Sequence, residues 1–204
     1  MILYTASYNE TKDPFGIFDS VQTVFTPKGL KKDGALILWG GEDIATEIYN
    51  QKPNRYCYSH HRSERDKKEI TLVNHAVKYG MPIIGICRGA QLLSAMSGGS
   101  LAQHIEGHGR SHMVTLHDEG DVMLSCNSSH HQMMIPPASA KVLATSESTT
   151  GLDEHNMAIK YDRVNEVVYF PTINALGIQP HPEWSSCSQD FINYCTRKIK
   201  EYLL

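Results

Sequence analysis

At 204 residues, 41% of them hydrophobic, the chain can bury one sizeable core, and a single domain spanning residues 1–204 is the simplest reading. A formal charge of -3 excludes any global electrostatic pull toward nucleic acid or an anionic membrane. The five cysteines, Cys57, Cys87, Cys126, Cys187 and Cys195, show no framework spacing and fit a reducing compartment. With no basic leader and no run near the roughly 20 apolar residues of a membrane span, a cytoplasmic location is expected.

In chain order, residues 2–6 read as a strand, 18–25 as a short helix and 35–39 as a second strand. Residues 67–79 follow as an amphipathic helix carrying Ile70, Leu72, Val73, Ala76 and Val77. The polar stretch 46–66 is the least regular part and is expected to be a long loop beside a functional site. Residues 81–86 form an apolar strand that runs directly into helix formers. This alternation predicts a largely parallel sheet with helices on both faces. Beyond it the character changes, and 113–116, 141–145, 157–161, 167–170 and 175–179 read as strands, before a final helix over 189–202.

The junction after the apolar strand is Gly85-Ile86-Cys87-Arg88-Gly89-Ala90-Gln91. Strand, Gly-x-Cys-x-Gly and helix together describe a nucleophile elbow, in which small residues flank a nucleophile held in strained backbone because strand and helix pass close together. A helix N-terminus favours a thiolate over a thiol. The ordinary alternative, a small buried cysteine, does not require both glycines. A base is offered by Gln179-Pro180-His181-Pro182-Glu183, where each proline holds the residue before it extended. At a period of two, Gln179, His181 and Glu183 project to one side, so that Glu183 can orient the His181 imidazole toward Cys87.

Four blocks, in order, carry a resemblance that spans nearly the whole chain: Gly40-Gly41-Glu42-Asp43-Ile44, the elbow, Asn127-Ser128-Ser129-His130-His131-Gln132, and Gly177-Ile178-Gln179-Pro180-His181-Pro182-Glu183. The chain resembles the class I glutamine amidotransferase superfamily, and within it the γ-glutamyl hydrolase branch. Arg65-Asp66 followed by Glu69 is a smaller echo of that branch. The resemblance implies a single-domain, three-layer α/β/α sandwich of flavodoxin-like type. It further implies an oxyanion hole at the backbone N–H groups of Gly41 and Arg88, and a glutamyl site near Gln91, Asn127, Ser128, Ser129 and His130. Trp39 and Pro180 depart from the branch pattern, as do Ser94 and His104, which bears on substrate identity more than on chemistry.

Three functions fit these residues: a stand-alone hydrolase of small γ-glutamyl amides or peptides, a glutaminase subunit feeding ammonia to a separate synthetase, and a non-catalytic binding protein. The complete Cys-His-Glu set argues against the last. No cofactor is expected. His104, His108 and His112 recur every four residues, but Gly107 and Gly109 disfavour the helix that would align them, and Cys57 with His60 and His61 lacks ligand spacing. No metal is assigned.

Overall fold

The computed structural model describes residues 1–7, 12–57 and 60–204. Its main feature is a nine-stranded sheet. In chain order the strands of that sheet are β1 (Ile2–Thr5), β2 (Ser20–Thr23), β3 (Ala35–Leu38), β4 (Ile83–Ile86), β7 (His112–Leu116), β8 (Val122–Cys126), β10 (Lys141–Ser146), β13 (Val164–Phe170) and β14 (Ala175–Ile178). Five strands run parallel in the order β2-β1-β3-β4-β14, and β13, β10, β7 and β8 extend the sheet antiparallel. The parallel half has the 2-1-3-4-5 order of flavodoxin-like folds if β14 is counted as its fifth strand. The antiparallel half follows from its connections, which carry no crossover helix and so return each strand beside a neighbour.

Three helices complete the layers: α1 (Glu64–Lys78), α2 (Arg88–Met96) and α3 (Gln189–Tyr202). Strand alternation sends Leu3, Ile37, Ile84 and Ile86 to one face, where Phe191, Tyr194 and Ile199 of α3 cover them. Tyr4, Leu36, Leu38 and Ile83 face the other side, under Leu72, Val73 and Ala76 of α1 and Ala90, Leu92 and Leu93 of α2. All of these side chains are fully buried, each worth about 1.5–3 kcal/mol where large and apolar. Short strands flank this core: β5 (Ser100–Ala102) with β9 (Met133–Ile135), and β6 (His104–Ile105) with β11 (Thr149–Leu152) and β12 (Ala158–Tyr161).

The helix expected over 18–25 is instead the edge strand β2. Asp13 accepts the backbone N–H groups of Phe15, Ile17 and Phe18, which fixes a turn before it, and the open edge of β1 then pairs with Ser20 to Thr23. The short apolar segment had no period long enough to decide the matter, and tertiary pairing did. Helix α1 begins three residues earlier than its apolar pattern, because Ser63 and Asp66 form a reciprocal capping box. The expected 46–66 loop therefore ends at residue 63, and it contains a 3-10 turn at Thr46–Tyr49. Residues 58 and 59 of that stretch lie outside the described residues.

Candidate active site

The C-terminal ends of β3, β4 and β14 lie side by side, because these three parallel strands are neighbours in the sheet. Open α/β sheets bind ligands at this edge. Here the strands deliver Trp39-Gly40-Gly41, Cys87 and the 179–183 segment to one place. Cys87 sits at φ 48° and ψ -107°, with its N–H extending the ladder to Ile178 O at 2.8 Å. Such a left-sided conformation in a non-glycine residue costs about 1–3 kcal/mol. It persists because both flanks are glycine. A Cβ on Gly85 would lie 2.6 Å from the Gly89 carbonyl carbon, and one on Gly89 would lie 2.4 Å from Leu38 O.

His181 lies between two partners. Its Nδ1 is 2.7 Å from Glu183 Oε1, and the Cys87 side chain lies close enough to the ring to favour its charged form. Burial works against the charged ring, but the hydrogen bonds and charges of Cys87 and Glu183 outweigh it and raise the pKa to about 9. Trp184 stacks on the imidazole at 3.8 Å with an interplanar angle of 8°, a contact that also favours the cationic ring. Gly40 packs so closely that a Cβ there would lie 2.6 Å from His181 Cε1 and 3.5 Å from Cys87 Cβ.

The first turn of α2 is anchored from α1. The guanidinium of Arg88 is buried and pairs with Asp66, at 2.5 Å, and with Glu69. Glu69 also takes Arg65 Nε at 2.8 Å, while Arg65 Nη2 donates to the carbonyls of Trp39 and Gly40 at 2.9 and 3.0 Å. A trans peptide points C=O and N–H in opposite directions, so capture of the Gly40 carbonyl turns the Gly41 N–H away from Arg65. Gly41 itself has φ +140°, and a Cβ there would strike Arg65 Nη1 at 2.3 Å. The Arg88 N–H belongs to the first helical turn, whose amides have no intrahelical acceptor.

The remaining sequence candidates divide. Gln91, in α2, donates through Nε2 to Gln132 O and Gln179 Oε1, each at 3.3 Å. Among the described residues, the buried atoms Gln132 Oε1 and Gln179 Nε2 have no hydrogen-bond partner. Asn127 is committed to the main chain of His181 and to Ser186 Oγ. The Ser128 hydroxyl donates to His108 O at 2.6 Å. Ser129 is exposed and His130 buried, and both line a cavity of about 470 Å³ with His104, His108 and His131. A larger cavity, about 640 Å³, lies beside it and is lined by His108, His112 and Ser146. Cys87 and His181 line neither of these two.

His104, His108 and His112 are not on a helix. His104 belongs to β6 and stacks on Tyr56 at 3.8 Å, whereas His108 and His112 converge on Glu166 of β13. The sequence offered no sign of Glu166, which lies 54 residues from His112. Arg65 and Trp184 were equally unmarked as site residues, because their contacts are made by the fold and not by local spacing.

The Peptidase C26 family model matches residues 26–183, and the chain belongs to that glutamine amidotransferase-like family. The chain is 42% identical over 71 residues, 35% of its length, to a Mycobacterium tuberculosis protein named “Putative glutamine amidotransferase Rv2859c”, and that match covers only 23% of the relative. It is 26% identical over 171 residues to the Escherichia coli O157:H7 protein named gamma-glutamyl-gamma-aminobutyrate hydrolase, covering 68% of this chain and 63% of the other. A crystal structure of a glutamine amidotransferase from Thermotoga maritima superposes with a TM-score of 0.52 at 16% identity, covering 99% of this chain and 92% of that one. At that identity the likeness is one of fold. Among the described residues no helix is long and apolar enough to cross a membrane.

Proposed function

We propose that the chain is a cysteine-dependent hydrolase of γ-glutamyl amides that works through a glutamyl thioester on Cys87. The observation that carries this reading is the placement of the His181 ring beside Cys87, at the N-terminus of α2, with its Nδ1 2.7 Å from Glu183 Oε1. Nothing in a non-catalytic binding protein calls for that arrangement on strained backbone.

In the proposed cycle the Cys87 thiolate attacks the δ-carbonyl carbon, and the carbonyl electron pair moves onto oxygen. The N–H groups of Gly41 and Arg88 receive the oxyanion, and loss of one such donor typically costs about 3 kcal/mol of transition-state stabilisation. His181 gives its Nε2 proton to the amide nitrogen as the C–N bond breaks and the free amine departs. The neutral ring then takes a proton from water as its oxygen attacks the thioester. The C–S bond breaks, glutamate leaves, and the thiolate–imidazolium pair is restored. Glu183 orients the ring throughout.

Support for a γ-glutamyl group comes from the name of the Escherichia coli relative and from the polar cluster around Gln91. The unpaired Gln179 Nε2 can donate to the α-carboxylate of such a substrate and Gln132 Oε1 can accept from its α-amino group. Asn127 and Ser128, whose side chains already hold other parts of the chain, act by positioning. Kinetics of the purified chain test this reading. γ-Glutamyl amides should exceed matched α-glutamyl amides by at least roughly a hundredfold in kcat/KM, because buried polar groups penalise a misplaced partner. Comparable cleavage of the two linkages would refute it. A chain that stays silent until a synthetase is added, and then releases ammonia from glutamine, would establish the glutaminase-subunit alternative in its place.

A further inference from the structure

Three neighbouring strands of the antiparallel half bring a second set of side chains together, on residues that the proposed hydrolysis does not use. His112 opens β7, Ser146 closes β10 and Glu166 lies within β13, while His108 comes from the loop before β7. His108, His112 and Glu166 each offer one ligand atom, and these atoms lie within 4.8 Å of one another. His130 adds a fourth, with Nε2 3.9 Å from Glu166 Oε2.

The outer contacts of these groups have the form found around metal ligands. His108 Nδ1 is 2.9 Å from Glu106 O, and His130 Nδ1 is 2.9 Å from Gln132 O. A carbonyl only accepts, so each Nδ1 carries a proton; His130 Nε2 then faces Glu166 Oε2, and His108 Nε2 lies 3.2 Å from Ser146 Oγ and 3.8 Å from Glu166 Oε1. Ser146 Oγ donates to Glu166 Oε1 at 2.7 Å and holds the carboxylate in place. Among the described residues, His130 Nε2 and Glu166 Oε2 are buried without a hydrogen-bond partner. Glu166 Oε1 is met by Ser146 and by His112 Nε2, at 2.8 Å, whereas Glu166 Oε2 and His130 Nε2 face one another unpartnered in a buried place, a gap that a cation would fill.

We propose that His108, His112 and Glu166, with His130 as fourth donor, form a binding site for a divalent transition metal of the zinc type. Imidazole and carboxylate donors suit that ion, and the 640 Å³ cavity at His108 and His112 gives it a path of entry. Zinc–nitrogen bonds of about 2.0–2.1 Å place tetrahedral donors roughly 3.4 Å apart, so binding contracts the cluster by about an ångström. Rotation of His108 at the cavity wall can supply this. The bound ion would join β7 and β13 to the 127–132 segment, the segment that also holds His181. This inference stands on the His–Glu cluster alone and survives if the hydrolase reading fails.

The test uses Cys87→Ser protein, so that the elbow thiol is not a competing ligand, stripped with a chelator and titrated with zinc by calorimetry and with cobalt by visible absorption. We expect one tight equivalent, an intense tetrahedral-type cobalt spectrum and a higher Tm in the loaded protein. His108→Ala and His112→Ala should each weaken binding at least tenfold, while His155→Ala, at an exposed site, should not. Because Glu166→Gln can disturb folding, the two histidine variants decide the matter. Absence of a tight equivalent, or equal affinity in His108→Ala, His112→Ala and the parent, would make the cluster an ordinary buried hydrogen-bond network and overturn the proposal.

Discussion

Asn127 grips the main chain of His181 with both atoms of its amide: Oδ1 accepts the His181 N–H at 2.9 Å, and Nδ2 donates to the His181 carbonyl at 2.8 Å. The ring position of His181 is therefore fixed from a loop 54 residues away in sequence, on the antiparallel side of the sheet. Glu183 sets the tilt of the ring, and Asn127 sets where its backbone lies.

Asn127→Ala should lower kcat by about 10- to 100-fold with a smaller change in KM, since a misplacement near an ångström costs that much in a preorganised site. Asn127→Asp keeps the acceptor and loses the donor, so it should fall between the two. Steady-state kinetics on a γ-glutamyl amide check this. An unchanged kcat in Asn127→Ala, with a folded protein, would show that the clamp does not act on His181.

The charge on His181 gives a pH signature. Its folded-state pKa is raised from the ordinary 6.5 to about 9, so the stabilisation it provides is fully present below pH 6.5 and is lost as pH rises through about 9. Over that window denaturation free energy should decline, by roughly 3 kcal/mol at most. kcat/KM should fall over the upper part of the same window as the proton donor disappears. Histidine NMR should show the His181 titration moving downward in Cys87→Ser, because Cys87 is one of the two neighbours that raise it. A His181 titration near 6.5 in the parent protein would contradict the thiolate–imidazolium pairing.

The elbow makes a stability prediction. Gly89→Ala drives a Cβ into the backbone of Leu38 and Gly85→Ala drives one into Gly89, and neither backbone can yield independently. Each should destabilise the protein by about 2–4 kcal/mol and abolish activity. Gly109→Ala, whose Cβ meets nothing within 4 Å, should be nearly neutral. Denaturant midpoints of the three variants decide it.

The elbow was legible in the sequence because its steric requirement writes glycines at fixed positions around Cys87, and the pairing of His181 with Glu183 was legible from the His-Pro-Glu triplet; the extended period of two expected there does not form, because the chain turns at residues 182 and 183 and the Trp184 N–H closes on His181 O at 3.2 Å. The final helix expected over 189–202 forms with those bounds as α3. Strand β2 was misread, since a short segment with mixed apolar and polar residues acquires its structure from the edge of β1. The antiparallel extension was seen as scattered strands without an order, because pairing register is a long-range property. Asn127 was recognised as part of the site, yet its contact with His181 could not be read from a motif. Glu166 carried no local signal at all, and the histidines around it were judged on helical spacing that the chain does not adopt.

The central claim is a covalent one, and mass spectrometry of the acid-quenched protein during turnover of a γ-glutamyl amide tests it most directly. We expect a glutamyl adduct, the mass of glutamate less one water, on the peptide that contains Cys87. It should be absent in Cys87→Ser and formed far more slowly in His181→Ala. Turnover with no adduct at any time point under rapid quench, or an adduct on Cys57, Cys126, Cys187 or Cys195 in place of Cys87, would contradict the account.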